Sequence, residues 1–179
     1  MKYYVHGYLS EPNSAKGTLL KEKLGVIPIK YRDCPPEELV IGRCVENIVN
    51  AIKNDEHAIL IGSSLGGFLA AKAALIKPVR QLILINPAII PMDENIMMMH
   101  DMPQSILKDI QDEHLFTTKI ASNVVILVGT EDDVVPNRWS KEFSKAQDAK
   151  ILFFDDDHSF SKYLEDLPNI LIHLLDEKD

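Results

Sequence analysis

Short apolar runs alternate with longer amphipathic segments along this chain. The apolar runs predict β-strands at 2–6, 26–31, 57–61, 81–85, 123–128 and 150–154, and the amphipathic segments predict helices at 14–24, 37–53, 65–76, 104–114, 137–147 and 160–175. No two-residue hairpin signal joins consecutive strands, so each connection is predicted to cross over through a helix. This order of elements predicts an α/β fold, in which helices cover both faces of a mostly parallel sheet of about six strands.

Composition and charge restrict the kinds of partner that suit this chain. It has 179 residues, 46% of them apolar and 26% charged, which predicts a single globular domain over 1–179. The net charge of -8 would cause repulsion from nucleic acid and from anionic membrane surfaces. We therefore expect a small-molecule partner and no nucleic acid.

The cysteines and the N-terminal residues bear on the cellular compartment. Cys34 and Cys44 are the two cysteines, and their spacing is not that of a metal site. The first residues lack the apolar core of a signal peptide, and no apolar run approaches the roughly 18 residues of a membrane span. These features predict a cytoplasmic protein without a membrane span.

The third predicted strand ends in the sequence Gly62-Ser63-Ser64-Leu65-Gly66, which satisfies the G-x-S-x-G pattern. In this pattern the flanking glycines let a strand reverse sharply into a helix, and the central serine hydroxyl is left exposed at the sheet edge. Ser64 is therefore the candidate nucleophile. The alternative is an ordinary Gly/Ser turn, because the pattern is short enough to occur by chance.

Other polar residues follow the predicted strands at the same edge of the sheet. An acidic group, 131–133, comes after the fifth strand, and a second acidic group ending in His158 comes after the sixth. The carboxyl ends of parallel strands meet where open α/β folds bind ligands. Serine, acid and histidine also occur here in the chain order of the α/β-hydrolase triad, in which histidine deprotonates serine and a carboxylate orients the imidazole.

Three motifs resemble the YqiA-like esterases, a family of compact α/β-hydrolases, over nearly the whole chain. The motifs are the opening His-Gly-Tyr-Leu-Ser-Glu-Pro-Asn-Ser-Ala-Lys at 6–16, the elbow at 62–68, and Asn-Pro-Ala at 86–88. The resemblance implies a three-layer α/β-hydrolase sandwich with a minimal cap, and a catalytic triad of Ser64, Asp132 and His158. The chain departs from the family where an acidic run at 155–157 replaces Gly-Gly, and where Tyr8 replaces Phe.

An oxyanion hole needs two backbone donors near the nucleophile. The Leu65 N–H follows the serine at the start of a helix, and the Tyr8 N–H, or less favourably that of Leu9, comes from the loop after the first strand. The alternative for that loop is that His6-Gly7 only turns the chain.

Two questions about the acids remain open in the sequence. Asp132 is favoured over Asp133 as the triad acid, because its distance from the strand's glycine suits the turn. Asp157 adjoins the histidine and is not expected to reach its ring in line. We expect the run 155–157 to form a solvated turn or to cap the final helix.

These features predict a serine hydrolase that cleaves carboxylic esters or thioesters through an acyl-enzyme, without a metal or organic cofactor. The alternative is a hydrolase scaffold that binds a small molecule or a partner without turnover. The segment 87–122 is too short for a large lid. It contains several methionines that would line an acyl pocket or else fill the core, namely Met92, Met97, Met98, Met99 and Met102.

Overall fold

The computed structural model describes residues 1–96 and 102–176. Its sheet has six strands, all paired in parallel, in the order β2-β1-β3-β4-β5-β6. The strands are β1 Lys2–Val5, β2 Ile27–Pro28, β3 Ile59–Ser63, β4 Gln81–Ile85, β5 Asn123–Gly129 and β6 Lys150–Phe154. The predicted α/β class and parallel sheet are confirmed.

The helices connect successive strands, as the crossover rule requires. They are α1 Ala15–Leu24, α2 Ile41–Ile52, α3 Leu65–Ile76, α4 Gln104–Ile110, α5 His114–Thr117, α6 Asn137–Gln147 and α7 Leu167–Asp176, with a 3-10 turn at Pro36–Glu38. Helix α1 is capped at both ends. The Ser14 hydroxyl accepts the Gly17 N–H at 3.3 Å, and Gly25 ends the helix in the left-handed conformation, with φ of 63°. In the part of the chain that the structure describes, no helix is long and apolar enough to cross a membrane.

Side chains of the central strands alternate between two buried cores. Leu82 and Leu84 of β4 pack into one core, and Ile83 and Ile85 pack into the other. Helices α2, α3 and α6 contribute to the first core, while α1 and α7 contribute to the second. Both faces of the sheet are therefore apolar, so β3 and β4 are continuous buried runs, as a parallel sheet between two helical layers requires.

Two predicted elements are shorter than the sequence pattern suggested. Only Ile27 and Pro28 of the predicted strand 26–31 pair with β1, since this strand lies at the edge of the sheet, where proline is tolerated. The predicted helix 37–53 begins at Ile41, because the two prolines before it start a separate 3-10 turn.

The final helix begins at Leu167, seven residues later than predicted. Phe160 has a left-handed φ of 58°, which interrupts a helix. Asp156 is only 3% exposed, and its carboxylate accepts the N–H groups of Asp157, Lys162 and Tyr163. The expectation that the acidic run is solvated or caps the final helix is therefore wrong for Asp156, which instead holds the turns that precede α7.

The predicted helix 104–114 is divided into α4 and α5. Gln111 leaves the helical conformation, with ψ of 83°, and its side-chain amide donates to three carbonyl oxygens of the segment after β4. Asp112 then accepts the His114 N–H at 2.9 Å. Of the methionines considered for the pocket, Met97, Met98 and Met99 lie outside the described residues, and Met92 is 54% exposed.

Candidate active site

Ser64 lies at the junction of β3 and α3, in a conformation that is strained for a residue with a side chain. Its φ is 55° and its ψ is -124°. Backbone hydrogen bonds hold it there: the Ser64 N–H donates to the Ile85 carbonyl at 3.0 Å, and the Ser64 carbonyl accepts from the N–H groups of Gly67, Phe68 and Ala88. Strain of this kind persists only where the surroundings enforce it, and here it presents the hydroxyl to the pocket.

Close backbone packing explains why the last position of the elbow motif, Gly66, is a glycine. A Cβ atom at Gly66 would lie 2.1 Å from the Val5 carbonyl oxygen and 2.4 Å from that of His6. The start of α3 is therefore pressed directly against the end of β1. The same packing brings the loop after β1 to the serine, because a Cβ atom at Gly7 would lie 3.3 Å from Ser64 Cβ.

The structure brings Ser64, His158 and Asp132 together in a line. His158 Nε2 is 3.0 Å from Ser64 Oγ, and His158 Nδ1 is 2.8 Å from Asp132 Oδ2. Since Nδ1 donates to the carboxylate, Nε2 is left to accept the serine proton. These three residues come from the ends of β3, β5 and β6, which are far apart in the sequence.

Asp132, and not Asp133, faces the imidazole. The Asp132 side chain is 1% exposed, and its second oxygen accepts the N–H groups of Val134 at 2.9 Å and Val135 at 2.8 Å. A carboxylate bound in this way cannot rotate away from His158. Asp133 is exposed and lines the pocket without touching the ring.

Asn86 connects the loop that carries the acid to the loop that carries the histidine. Its side-chain NH₂ donates to the carbonyl oxygens of Asp157 at 3.0 Å and His158 at 2.9 Å, while its Oδ1 accepts the Gly129 N–H at 2.7 Å. Asn86 also has a left-handed φ of 43°, which asparagine tolerates better than most residues. The sequence identified Asn86 only as part of a motif and assigned it no role.

The two predicted oxyanion donors are the backbone N–H groups of Tyr8 and Leu65. Tyr8 lines the pocket, and Leu65 is the first residue of α3, with its side chain fully buried. Within residues 1–96 and 102–176, neither backbone N–H has an acceptor. Both amides are therefore able to bind a substrate oxygen. Leu9, the less favoured alternative, is 74% exposed.

Three side chains hold the loop after β1, and sequence analysis assigned no function to any of them. The buried Arg32 guanidinium donates to the carbonyl oxygens of Tyr8 at 3.3 Å, Ser10 at 2.8 Å and Cys34 at 2.9 Å. Tyr31 donates to the Gly7 carbonyl at 3.3 Å, and the His6 ring stacks on Tyr31 at 4.4 Å. Burial lowers the pKa of His6 and so favours the neutral form of its ring. A polar residue just after an edge strand, such as Arg32, is the signal that could have found this support.

A pocket of about 770 Å³ opens over Ser64. Its lining includes the apolar or aromatic side chains of Tyr8, Leu9 and Met102. It also includes the polar side chains of Ser63 and Lys16, and the Lys16 ammonium donates to Ser63 Oγ at 3.2 Å. Met102 is thus the one described methionine that lines the pocket. Among residues 1–96 and 102–176, no three His, Cys, Asp or Glu side chains are grouped as metal ligands would be.

Comparison with known sequences gives a family match. The model of UPF0227, described as an uncharacterised protein family, matches residues 1–175. No curated protein matches the chain significantly.

Solved structures show the same fold at low sequence identity. Est1E from Butyrivibrio proteoclasticus, solved with ferulic acid bound, has a TM-score of 0.78 at 19% identity, over 97% of this chain and 87% of that one. Alpha/beta hydrolase domain-containing protein 10 from mouse has a TM-score of 0.80 at 22% identity, over 99% and 90%. A monoacylglycerol lipase from Paleococcus ferrophilus has a TM-score of 0.72 at 16% identity, over 97% and 93%. The predicted α/β-hydrolase fold is confirmed.

Proposed function

This chain belongs to the UPF0227 family, and from that premise we propose that it is a serine hydrolase that cleaves carboxylic esters or acyl thioesters through an acyl-enzyme. The resemblance to the YqiA-like family that its three motifs predicted is confirmed. The observation that carries the proposal is the pair of contacts that His158 makes, at 3.0 Å to Ser64 Oγ and at 2.8 Å to Asp132 Oδ2.

In the first step, Ser64 Oγ attacks the carbonyl carbon of the substrate while its proton passes to His158 Nε2. Nε2 can take the proton because Nδ1 already donates to Asp132. The carboxylate then stabilises the imidazolium through that bond, and its two backbone donors keep it in place. The imidazolium gives its proton to the leaving alcohol or thiol, and an acyl group remains on Ser64.

The tetrahedral intermediate carries a negative oxygen, which the Tyr8 and Leu65 N–H groups are suited to bind. Each such donor contributes about 3 to 4 kcal/mol in the transition state. The free state of both amides supports this role, as does the placement of Leu65 at the N-terminus of α3, where the helix dipole favours negative charge.

Water completes the reaction. His158 deprotonates a water molecule, which attacks the acyl carbonyl, and Ser64 leaves with the returned proton. Polar side chains, such as those of Ser63 and Lys16, line the pocket near Ser64 and support the access of water at this step. The substrate is thus a small molecule, in agreement with the names of the structural neighbours, which include a monoacylglycerol lipase and an Est1E complex with ferulic acid.

Labelling with a fluorophosphonate tests the proposal directly, because this reagent modifies only an activated serine. We expect the wild-type chain and Ser63→Ala to be labelled at Ser64, and Ser64→Ala and His158→Ala to remain unlabelled. Turnover of a short-chain ester should follow the same pattern.

The competing function is a scaffold that binds a small molecule or a partner without turnover. Absence of labelling in the wild-type chain, together with absence of ester and thioester turnover, would favour that function and reject the hydrolase. Labelling at Ser63 instead would mean that the elbow presents the wrong serine for this mechanism.

A further inference from the structure

Lys16 lines the pocket and contacts Ser63, the residue that precedes the candidate nucleophile Ser64. Its ammonium donates to Ser63 Oγ at 3.2 Å, and its side chain is partly buried. Within residues 1–96 and 102–176, no carboxylate lies within ion-pair distance of it, whereas Lys72 on α3 pairs with Asp112. Among these described residues, two of the three protons of the Lys16 ammonium thus have no acceptor.

The acids closest to Lys16 are already committed to other partners. Asp156 accepts three backbone N–H groups, and Asp157 accepts the Ser161 N–H at 3.1 Å. Their charges act on Lys16 only through space. Burial lowers the pKa of Lys16 to about 8, against the partial opposition of these two acids. The ammonium is still mostly protonated at neutral pH, and it forms no ion pair with any carboxylate of the described residues.

The surroundings of Lys16 also favour negative charge. Tyr4 also lines the pocket, and burial raises its pKa, so the phenol stays neutral and does not serve as the counter-ion. Ser14, Ala15 and Lys16 form the start of α1, where the first backbone N–H groups of a helix point outward and the dipole attracts anions. Hydroxyls, helix terminus and ammonium all face the pocket that contains Ser64.

We propose that Lys16, with Ser63 and the N-terminus of α1, binds a carboxylate or phosphate group carried by the substrate, so that the chain prefers anionic esters. The inference rests on the proposed hydrolase function and names its substrate class. An anionic group would accept from the Lys16 ammonium and supply the missing counter-charge, while the apolar residues that line the same pocket, such as Met102, would contact the uncharged part.

Two pairs of substrates, each an anionic ester and a neutral counterpart, test the preference. Monomethyl succinate is compared with methyl isocaproate, which has the same outline but no charge on the acyl side. Butyrylglycerol phosphate is compared with monobutyrin, which lacks the charge on the alcohol side. In each pair the ratio of kcat/KM values, anionic to neutral, is measured for the wild type, for Lys16→Met and for Lys23→Met. Lys23 is an exposed residue of the same helix, so its variant removes an equal charge away from the pocket.

We expect the wild type and Lys23→Met to prefer the anionic member of at least one pair, and Lys16→Met to lose about ten- to a hundredfold of that ratio, the usual size of a hydrogen bond to a charged group. The pair that shows the effect tells whether the anion lies on the acyl or the alcohol side. Equal ratios in wild type and Lys16→Met in both pairs would overturn the inference while leaving the hydrolase function intact, provided that the neutral esters are turned over.

A second measurement uses the wild-type chain alone and so does not depend on the folding of a variant. The rate of fluorophosphonate labelling at Ser64 is followed in sodium succinate, in sodium phosphate and in sodium chloride at equal ionic strength. Slower labelling in succinate or phosphate supports an anion site beside the nucleophile. Equal rates in all three salts would reject it, and failure to label at all would reject the hydrolase function itself.

Discussion

The two walls of the pocket differ in how completely their polar groups are bound. The first, which we call the acid-base wall, consists of residues 129–133 and 155–158 with Asn86. There the side chains of Asn86, Asp132 and Asp156 each make two or more hydrogen bonds. The second, the N-terminal wall, consists of residues 6–16 with the supporting Arg32. There, as far as the described residues are concerned, Lys16 has one hydrogen bond, while His6 Nε2 and Arg32 Nε are buried without partners.

This difference matches what each wall would have to do under the proposed function. Proton transfer requires fixed distances, and a fully bonded network of buried groups provides them. Substrate recognition requires polar groups that still have free hydrogen-bond donors or acceptors. Such unsatisfied groups raise the free energy of the folded chain until the substrate binds. We therefore expect substitutions in the acid-base wall to change kcat most, and substitutions in the N-terminal wall to change substrate preference most.

The largest effect is expected at the centre of the acid-base wall. Asp132→Asn should lower kcat on a neutral ester about 10⁴-fold, because the amide can no longer orient the imidazole in the correct tautomer or stabilise the imidazolium. Asp133→Asn is the matched control and should change kcat little, since Asp133 does not touch His158. If the control lost activity instead, the acid would be the neighbouring residue.

The next effect concerns the connection within that wall. Asn86→Ala removes three hydrogen bonds and places alanine at a left-handed φ, so we expect the free energy of unfolding to fall by about 2 to 4 kcal/mol and kcat to fall as well. Urea denaturation measures the first quantity. Asn50→Ala, at an exposed position on α2, should leave both nearly unchanged.

In the N-terminal wall, Arg32→Met should lower kcat by about tenfold, because the carbonyl oxygens of Tyr8 and Ser10 lose their donor and the oxyanion N–H is held less firmly. Arg32→Lys should recover little, since an ammonium cannot replace the fork of guanidinium donors. Arg43→Met, on the exposed side of α2, serves as the control. An unchanged kcat in Arg32→Met would show that Tyr8 is fixed by other contacts.

The smallest effect is one of stability. The pKa of Lys16 is lowered from an ordinary 10.5 to about 8, so between these values the unfolded chain binds more protons and the wild type gains stability as the pH rises. Lys16→Met lacks this cost and should be more stable than wild type by about 1 kcal/mol at pH 7, after allowance for its partial exposure.

That advantage should shrink as the pH rises above about 8. Urea midpoints at several pH values test the trend, with Lys23→Met as reference. A constant difference across the pH range would mean that the charge of Lys16 costs nothing in the folded state.

Local sequence predicted the sheet and pointed to Ser64, Asp132 and His158 because both inferences depend on short patterns. The apolar runs of β3 and β4 are buried on both faces, and the elbow motif occupies consecutive residues. The hydrogen bonds that hold the site together could not be predicted from short sequence patterns. Lys16 meets Ser63 across 47 positions, and Asn86 meets His158 across 72, so their pairing depends on tertiary packing. The late start of α7 has the same origin, since the buried Asp156 carboxylate decides it.

The close contact between Gly66 and the backbone of β1 limits how the site can evolve by amino-acid substitution. With a Cβ position only 2.1 Å from the Val5 carbonyl oxygen, no larger residue fits there unless β1 and α3 move apart together. Random substitution should therefore be tolerated unevenly. A saturation library at Gly66 is expected to yield almost no functional clones, whereas a library at Leu9, whose side chain is largely free, should yield many with altered substrate range. New substrate specificities would then arise by substitution in the N-terminal wall, while the residues around Ser64 and the end of β1 would be conserved together.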